Sequence, residues 1–528
     1  MSRHQLNKVL ENLIDENKIS YDKNISKFSK IHKYWSRKPW YIIQNYITKY
    51  SGENEIVLDP FCGSGVVGLE SCLLNRSFIG YDLNPIAIFI TKLTIESEFN
   101  LSAFEEEILR FEKDLKKKIM QLYEVENLNY TLYNIVGDKN KKDYNSVVSD
   151  FDFKNKRKVN LANLLSDFKL PKRISYPDEP FPKKFYKDRF SYKGVNNVSD
   201  LFSKRNLYAL TLIYDYIENT NLKNKDLFKL ALSNTLLHVS KLKGENVRPL
   251  GVNNYWIPDD YIEENVIWRF LDRIKNVKDA KHILQQRFNS ANIKTQNNIL
   301  YNKSSLELSE IESNSIDYVI TDPPYGDAIQ YSELSFVWNT WLGESYKINQ
   351  EVIINPVQSK GISEFHESIF SFLSNIYRVL KNDKYFTLCF QNKDVKIWIA
   401  IIEKIKNLGF ELYDIKIYDV FGSPYNKHWA KFSPKSDLYV TFKKSKIKVD
   451  NINKSQINVS AIINDIISFL CNKTDDNLDL NVAFDLFVSI VIQEIFENKS
   501  PESIKNLDLK KIIKMFEVYY GIRTQGSN

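Results

Sequence analysis

Asp322-Pro323-Pro324-Tyr325 follows an apolar run, Ile316 to Ile320. The tetrapeptide sets a carboxylate, a rigid carbonyl and an aromatic face at one strand end. Asp322 can accept one hydrogen of a planar exocyclic amine. The Pro323 carbonyl, held by the restriction that Pro324 places on the backbone before it, can accept the other. The lone pair of such an amine is delocalised into its ring, so the amine is a poor nucleophile. Two acceptors favour a tetrahedral nitrogen and free that pair for attack. Tyr325 can stack on the ring. Far upstream, Asp59-Pro60-Phe61-Cys62-Gly63-Ser64-Gly65 is a glycine-rich turn where an adenosyl group can lie against bare backbone, with Asp59 facing a positively charged cofactor. Gly63 to Gly68 fits GxGxxG, and Asp82 stands at the spacing of an acid that takes ribose hydroxyls. That pattern alone would equally suit a dinucleotide dehydrogenase. No GK[ST] follows it, which removes an ATP-type phosphate loop.

The elements around these residues predict how they meet. Glu55 to Leu58 reads as a short buried strand ending at Asp59, Val66 to Leu74 as a helix, and Phe78 to Tyr81 as a second strand ending at Asp82. Asn84-Pro85 opens a further helix reaching about Ile95, and a turn leads into a helix with Pro39 near its first turn. This is the opening of a doubly wound α/β sheet, whose ligands bind at the carboxyl ends of the strands. The sheet resumes at Asn298–Tyr301 and Ile316–Ile320, continues with Tyr385–Phe390, and closes on an antiparallel pair, Phe410–Val420 and Asp437–Phe442. Helices are expected over Ser363–Leu380 and Val395–Lys406. Asp59, Asp82 and Asp322 therefore converge on one crevice.

Between the two halves lies a stretch too long for a loop, with helical spacing at Phe104–Tyr123 and Arg205–Ile217. The organisation expected is an N-terminal segment and cofactor-binding half over 1–100 and an inserted, mostly helical region over 101–295. A catalytic half follows over 296–446, then a helical C-terminal accessory region over 447–528. Residues 152–193 hold twelve Lys/Arg against five Asp/Glu, interleaved with Phe168, Tyr176, Phe181, Phe185, Tyr186, Phe190 and Tyr192. Basic side chains with aromatics suit a phosphate backbone and unstacked bases, though a solvated surface would look the same.

Composition bounds the rest. Of 528 residues 43% are hydrophobic and the net charge is +7. No apolar run is long enough to span a membrane, and the polar start, Met1 to Asn17, does not read as a signal peptide. Cys62, Cys72, Cys389 and Cys471 are scattered, and the six histidines show no ligand spacing. Reduced thiols, a cytoplasmic, nucleoid-associated location and no metal are expected. Trp338 and Trp341 read as core residues, and Phe421 as a candidate second aromatic against a flipped base.

Asp59 to Gly65, Asp82-Leu83-Asn84-Pro85 and Thr321 to Gly326 resemble the S-adenosylmethionine-dependent amino-methyltransferases of DNA, most of all the adenine-N6 group. His32-Lys33-Tyr34-Trp35-Ser36-Arg37-Lys38-Pro39 and Gln330 to Trp338 are similar to one bacterial branch of that family. The resemblance covers about 25–100 and 295–445, and weakly 200–290. It implies the seven-stranded Rossmann-like methyltransferase sheet, S-adenosylmethionine as cofactor, and the insertion as target-recognition region. By resemblance Asp59, Phe61, Gly63 and Gly65 contact the cofactor and Asp82 its ribose. His32, Lys38 and Pro39 help hold its methionine end, and Asp322, Pro323, Pro324 and Tyr325 receive the base. Ser305 and Glu307 are candidates for the cofactor's adenine. The implied activity is site-specific methylation of adenine N6 in double-stranded DNA, on a base turned out of the duplex. Cytosine-N4 transfer, RNA guanine-N2 transfer and a catalytically inactive DNA-binding subunit are the alternatives. A restriction or defence partner would be a separate chain.

Overall fold

The structure is a computed structural model. It describes residues 31–125, 128–138, 145–149, 156–160, 169–171, 174–183, 185, 194–244, 248–250, 255–258, 260–291, 293, 297–419, 436–445, 455–473, 480–505, 507 and 509–525. Phe421 and most of the basic stretch 152–193, including Lys172, Arg173 and Lys184, lie outside these residues.

Seven strands form the central sheet: β1 (Ile56–Asp59), β2 (Ser77–Tyr81), β3 (Ile299–Tyr301), β4 (Ile316–Thr321), β5 (Leu380–Phe390), β6 (Phe410–Asp419) and β7 (Ser436–Lys444). Their order is β6-β7-β5-β4-β1-β2-β3. Strands β3, β2, β1, β4 and β5 run parallel, and β7 runs antiparallel between β5 and β6. All six residues of β4 are buried. That is why it reads as an apolar run and not as an alternation: a central parallel strand is covered on both faces. The chain leaves β1 toward β2 and β3, then returns to lay β4 on the other side of β1. The crevice at this reversal opens at the carboxyl ends of β1 and β4.

One face of the sheet is covered by the Trp40–Tyr50 and Val66–Leu73 helices. Ile43, Ile47, Val67, Phe78, Tyr318 and Ile320 share that core. The Ile362–Val379 and Val395–Leu408 helices cover the other. In the first of these, Phe365, Ile369, Phe372, Leu373, Ile376 and Val379 follow the helical repeat and are buried. Each contributes roughly 1.5–3 kcal/mol by burial. The C-terminal helices Val459–Lys473, Leu480–Phe496 and Leu509–Gln525 bury Ile463, Phe487 and Phe516 in this same core, beside Phe386 and Val440. The C-terminal region is thus packed into the catalytic half.

In the insertion, helices Leu101–Phe111 and Lys204–Asn219 stand where helical spacing was expected, and Lys225–Leu236 and Val266–Ser290 add two more. It also has a sheet that helical periodicity did not point to, built from Glu124–Val125, Leu128–Asp138, Asn145–Ser149, Lys156–Asn160 and Asp260–Glu264. Its helices pack on the Pro85–Ile95 and Tyr331–Leu342 helices, with Trp338 and Trp341 in the shared core as expected. Among the described residues no helix is long and apolar enough to cross a membrane.

Candidate active site

The turn after β1 closes tightly on itself. Gly65 N–H donates to the Cys62 carbonyl at 2.8 Å, and Cys62 N–H to the Tyr81 carbonyl at 2.9 Å. Gly63 and Gly65 sit at φ +51° and +78°, where a side chain is strained. The two glycines serve different ends. A Cβ on Gly63 would reach the Tyr34 ring at 3.0 Å across the cleft wall, whereas one on Gly65 would strike the Thr91 backbone at 2.9 Å, away from the cleft. Gly63 keeps the cleft wall bare; Gly65 lets the turn pack on the Pro85–Ile95 helix. Gly68 does the same for helix against strand, since a Cβ there would meet Phe78 at 2.7 Å.

One cleft opens here, and Asp59, Asp82 and Asp322 all line it, as their strand ends require. Asp59 is buried; it accepts from Thr321 Oγ1 at 2.7 Å and from Phe61 N–H at 3.1 Å. Burial, opposed by these bonds and reinforced by Asp322 and Asp82, pushes its carboxyl up to about 7. Asp82 accepts from Gly63 N–H at 2.9 Å and Asn84 N–H at 2.8 Å. Burial lifts it to about 6 against those two donors. Asp322 is also lifted to about 6 by burial, with Lys38 opposing and Asp437 adding to the rise. Its two oxygens receive the Tyr325 hydroxyl and, at 3.2 Å, the Lys38 ammonium. The Tyr325 ring stands edge-on to Phe390 at 5.3 Å, and its carbonyl accepts from Asn392 Nδ2 at 2.9 Å.

Phe61, Gly63, Lys38 and Pro324 also line the cleft; Gly65, Pro39, Pro323 and Tyr325 are not among its lining residues. Two of the expected residues have partners that the sequence did not indicate. His32 is buried away from the cleft, with Nε2 3.0 Å from Ser233 Oγ and its ring edge-on to Trp338 at 4.9 Å. Burial holds its imidazole down to about 3, so it is neutral. It fastens the N-terminal segment to the insertion's core. Lys38 reaches Asp322 and Tyr325, while Arg37 reaches the glycine turn, its Nε donating to Ser64 Oγ at 2.9 Å. Of the two adenine candidates, Ser305 lines the cleft and Glu307 is exposed outside it.

Sequence reasoning missed Tyr34, Tyr331, Tyr346, Gln350 and Glu351, which also line the cleft. Tyr34 and Tyr331 lie within the two quoted segments, stacked at 6.2 Å. Glu351 comes from an irregular loop and carries no local signal. It is buried, fixed by Ser332 N–H at 2.8 Å and by the Ser332 hydroxyl.

These residues fit S-adenosylmethionine. At Gly63 bare backbone borders the cleft, and a side chain there would press on the Tyr34 ring that also lines it. Three carboxyls lifted by burial, with nearby acids adding to the rise at each, favour a cationic guest, and Asp82 keeps lone pairs for ribose hydroxyls beyond its two backbone donors.

The comparisons agree with this geometry. The chain is 33% identical over 120 residues to the Type II methyltransferase M.HpaI of Haemophilus parainfluenzae, covering 21% of this chain and 38% of that one. It is 35% identical over 96 residues to M2.LlaDCHI of Lactococcus lactis subsp. cremoris, 17% of this chain and 36% of that one. The chain thus spans less than two fifths of either relative. A longer likeness, 23% identity over 419 residues and 73% of each chain, is to M.MjaII of Methanocaldococcus jannaschii. The DNA methylase family of N6/N4 amino-methyltransferases matches residues 3–93 and 316–510, and skips the insertion between them. Since the match takes in more than half of the chain and both motif-bearing halves, the protein belongs to this family of DNA methylases, for which S-adenosylmethionine is the methyl donor.

Proposed function

We propose that this chain methylates the N6 amine of adenine in double-stranded DNA, at a specific site, on a base turned out of the helix. The observation that carries the reading is the position of Asp322. It ends β4 beside the switch point, in the same cleft as the glycine turn and the two other strand-end acids. S-adenosylmethionine, when bound, supplies an electrophilic methyl on a sulfonium centre. Asp59, Gly63, Arg37 and Asp82 would hold it, and Phe61 and Ser305 would border it. Asp322 accepts a hydrogen of the target amine and so must be ionised. Tyr325 offers its ring to the base face. The duplex hides the amine, so extrusion is required, and the walls formed by Tyr34 and Tyr331 exclude water once the base is in.

The insertion is the proposed target-recognition region, and the DNA methylation half of a restriction–modification pair is the proposed setting. The test is mass spectrometry of digested DNA after incubation with the purified chain and S-adenosylmethionine. N6-methyladenine is expected. N4-methylcytosine would move the target to the other amine that the same tetrapeptide serves, and methylation of RNA alone would overturn the DNA reading.

A further inference from the structure

Lys38 enters the site from the N-terminal segment, 284 positions before Asp322 in the sequence. Its ammonium is almost fully enclosed and touches three groups. Asp322 Oδ2 is at 3.2 Å, Asp437 Oδ2 at 3.0 Å and the Tyr325 hydroxyl at 2.6 Å. Asp437 is the second residue of β7. Because β7 runs against its neighbours, its first residues arrive where the parallel strands end, and this places a second carboxylate level with the catalytic one. The three charges alternate, carboxylate, ammonium, carboxylate, in a line across the sheet end.

Resting on the methyltransferase reading, we infer that Lys38 and Asp437 form a positioning pair for Asp322. Lys38 keeps the Asp322 carboxylate ionised and aimed, and Asp437 retains the ammonium when the target amine takes its place on Asp322. The argument is geometric. In the structure both oxygens of Asp322 are already engaged, one by Tyr325 and one by Lys38. A base amine bonds Asp322 either at a lone pair that these donors leave free or by taking the place of one of them. A lysine displaced into a closed cleft would be an unpaired buried charge, which is costly. Asp437 removes that cost because it binds the same nitrogen from the other side.

The groups around Asp322 leave few other sources of positive charge. Asp59 faces it from β1, Cys389 from β5, Asp437 and Tyr439 from β7, Tyr325 from its own turn and Tyr331 from the following helix. These are acids or weak acids. Lys38 is the cation on the far side of the balance. Burial alone would lower its own basicity, but Asp322 and Asp437 more than offset this and it remains protonated.

The test is the pH profile of the single-turnover rate of methyl transfer, at saturating S-adenosylmethionine and DNA. The parent's rate falls as the pH drops through the Asp322 titration. In Lys38→Met that acidic limb moves up by at least one pH unit, and the rate lost at pH 7 is regained by about pH 9, on the same scale of tenfold per unit. Lys38→Arg keeps the limb within half a unit of the parent's, roughly, because the charge is retained. Asp437→Asn removes a like charge and moves the limb down, and the double variant Lys38→Met/Asp437→Asn falls between the two single ones. Affinity for S-adenosylmethionine, read by calorimetry, stays near the parent's in all of them. The inference is overturned if Lys38→Met loses rate equally at every pH, or loses cofactor affinity instead. Should Lys38→Met fail to fold, Asp437→Asn decides alone: a limb that stays or rises refutes the pair. A parent that makes no methylated base refutes the activity itself, which is a different outcome from an active parent whose limb ignores Lys38.

Discussion

Asp82 and Asp322 stand on either side of Asp59, at the ends of β2 and β4, and burial lifts both carboxyls to about 6. Their surroundings differ in kind. Asp82 is held by two backbone N–H groups, Gly63 and Asn84, which cannot move without unmaking the glycine turn. Asp322 is held by side chains, Lys38 and Tyr325, which can. The backbone-held acid suits a group that is bound the same way in every turnover. The side-chain-held acid suits one that must exchange partners when a base arrives. In the proposed function, the carboxyl ends of these strands thus offer a rigid half to the cofactor and an adjustable half to the target.

The sharpest way to break this comparison is to delete each acid. Asp322→Ala should lower the single-turnover rate by about 10²–10⁴-fold, as removal of a positioned polar group does, with S-adenosylmethionine affinity near the parent's. Asp82→Ala should do the reverse. It leaves two N–H groups of the turn without their acceptor and should weaken cofactor binding in calorimetry. If both variants lose affinity alike, the division into two halves is wrong.

The two glycines of the rigid half should also separate. Gly65→Val meets the Thr91 backbone and a strained φ, so it should destabilise the fold by about 2–5 kcal/mol in denaturant unfolding. Gly63→Ala faces only the Tyr34 ring, and its loss should fall mainly on cofactor affinity. A Gly65→Val protein as stable as the parent would mean that the turn has another conformation.

A third test lies in the acid between them. Asp59 titrates near 7 in the fold against an ordinary carboxyl near 4, so its ionised form is disfavoured by folding. Its contribution is neutral below pH 4, becomes increasingly unfavourable as pH rises from about 4 to 7, and stays constant above. Asp59→Asn keeps an oxygen for Phe61 N–H and Thr321. The variant should therefore melt with the parent at pH 4 and higher than it at pH 8, by roughly 2–4 °C, while losing cofactor affinity. Equal melting at both pH values would show that the acid is not strained.

The rigid half was legible because its signals are local. Strand, glycine turn, helix and Asn84-Pro85 fall within some 40 residues, and each boundary lies within a residue or two of its expected place. The adjustable half was legible only at the tetrapeptide. Lys38 could be seen as part of a motif, but nothing in the sequence says that its ammonium crosses to Asp322. Asp437 could have been found by following the antiparallel β7 to its entry end. Glu351 and Tyr346 reach the cleft from an irregular loop after the Tyr331–Leu342 helix, where no period applies. The insertion's sheet was missed because strands such as Lys156–Asn160 carry charge where a half-buried strand would show apolar alternation.

The smallest effect is expected at Tyr325, and it sharpens the adjustable half most. Its hydroxyl donates to Asp322 and accepts from Lys38 at 2.6 Å, while its ring rests edge-on against Phe390. Tyr325→Phe keeps the ring and removes one donor that helps hold Asp322 ionised. A single hydrogen bond is worth about 0.5–1.5 kcal/mol net, so the rate at neutral pH should fall by roughly two- to tenfold and recover as the pH rises. Tyr325→Ala also removes the stacking face, and should cost about 1–3 kcal/mol more, at every pH. The contrast between the pH-dependent loss that both variants share and the pH-independent loss that Ala adds would separate the hydroxyl's hold on Asp322 from the ring's hold on the base. A Phe variant as inactive as Asp322→Ala would instead make the hydroxyl indispensable to the chemistry, and Asp322 would no longer stand as the one exchangeable acceptor of this sheet edge.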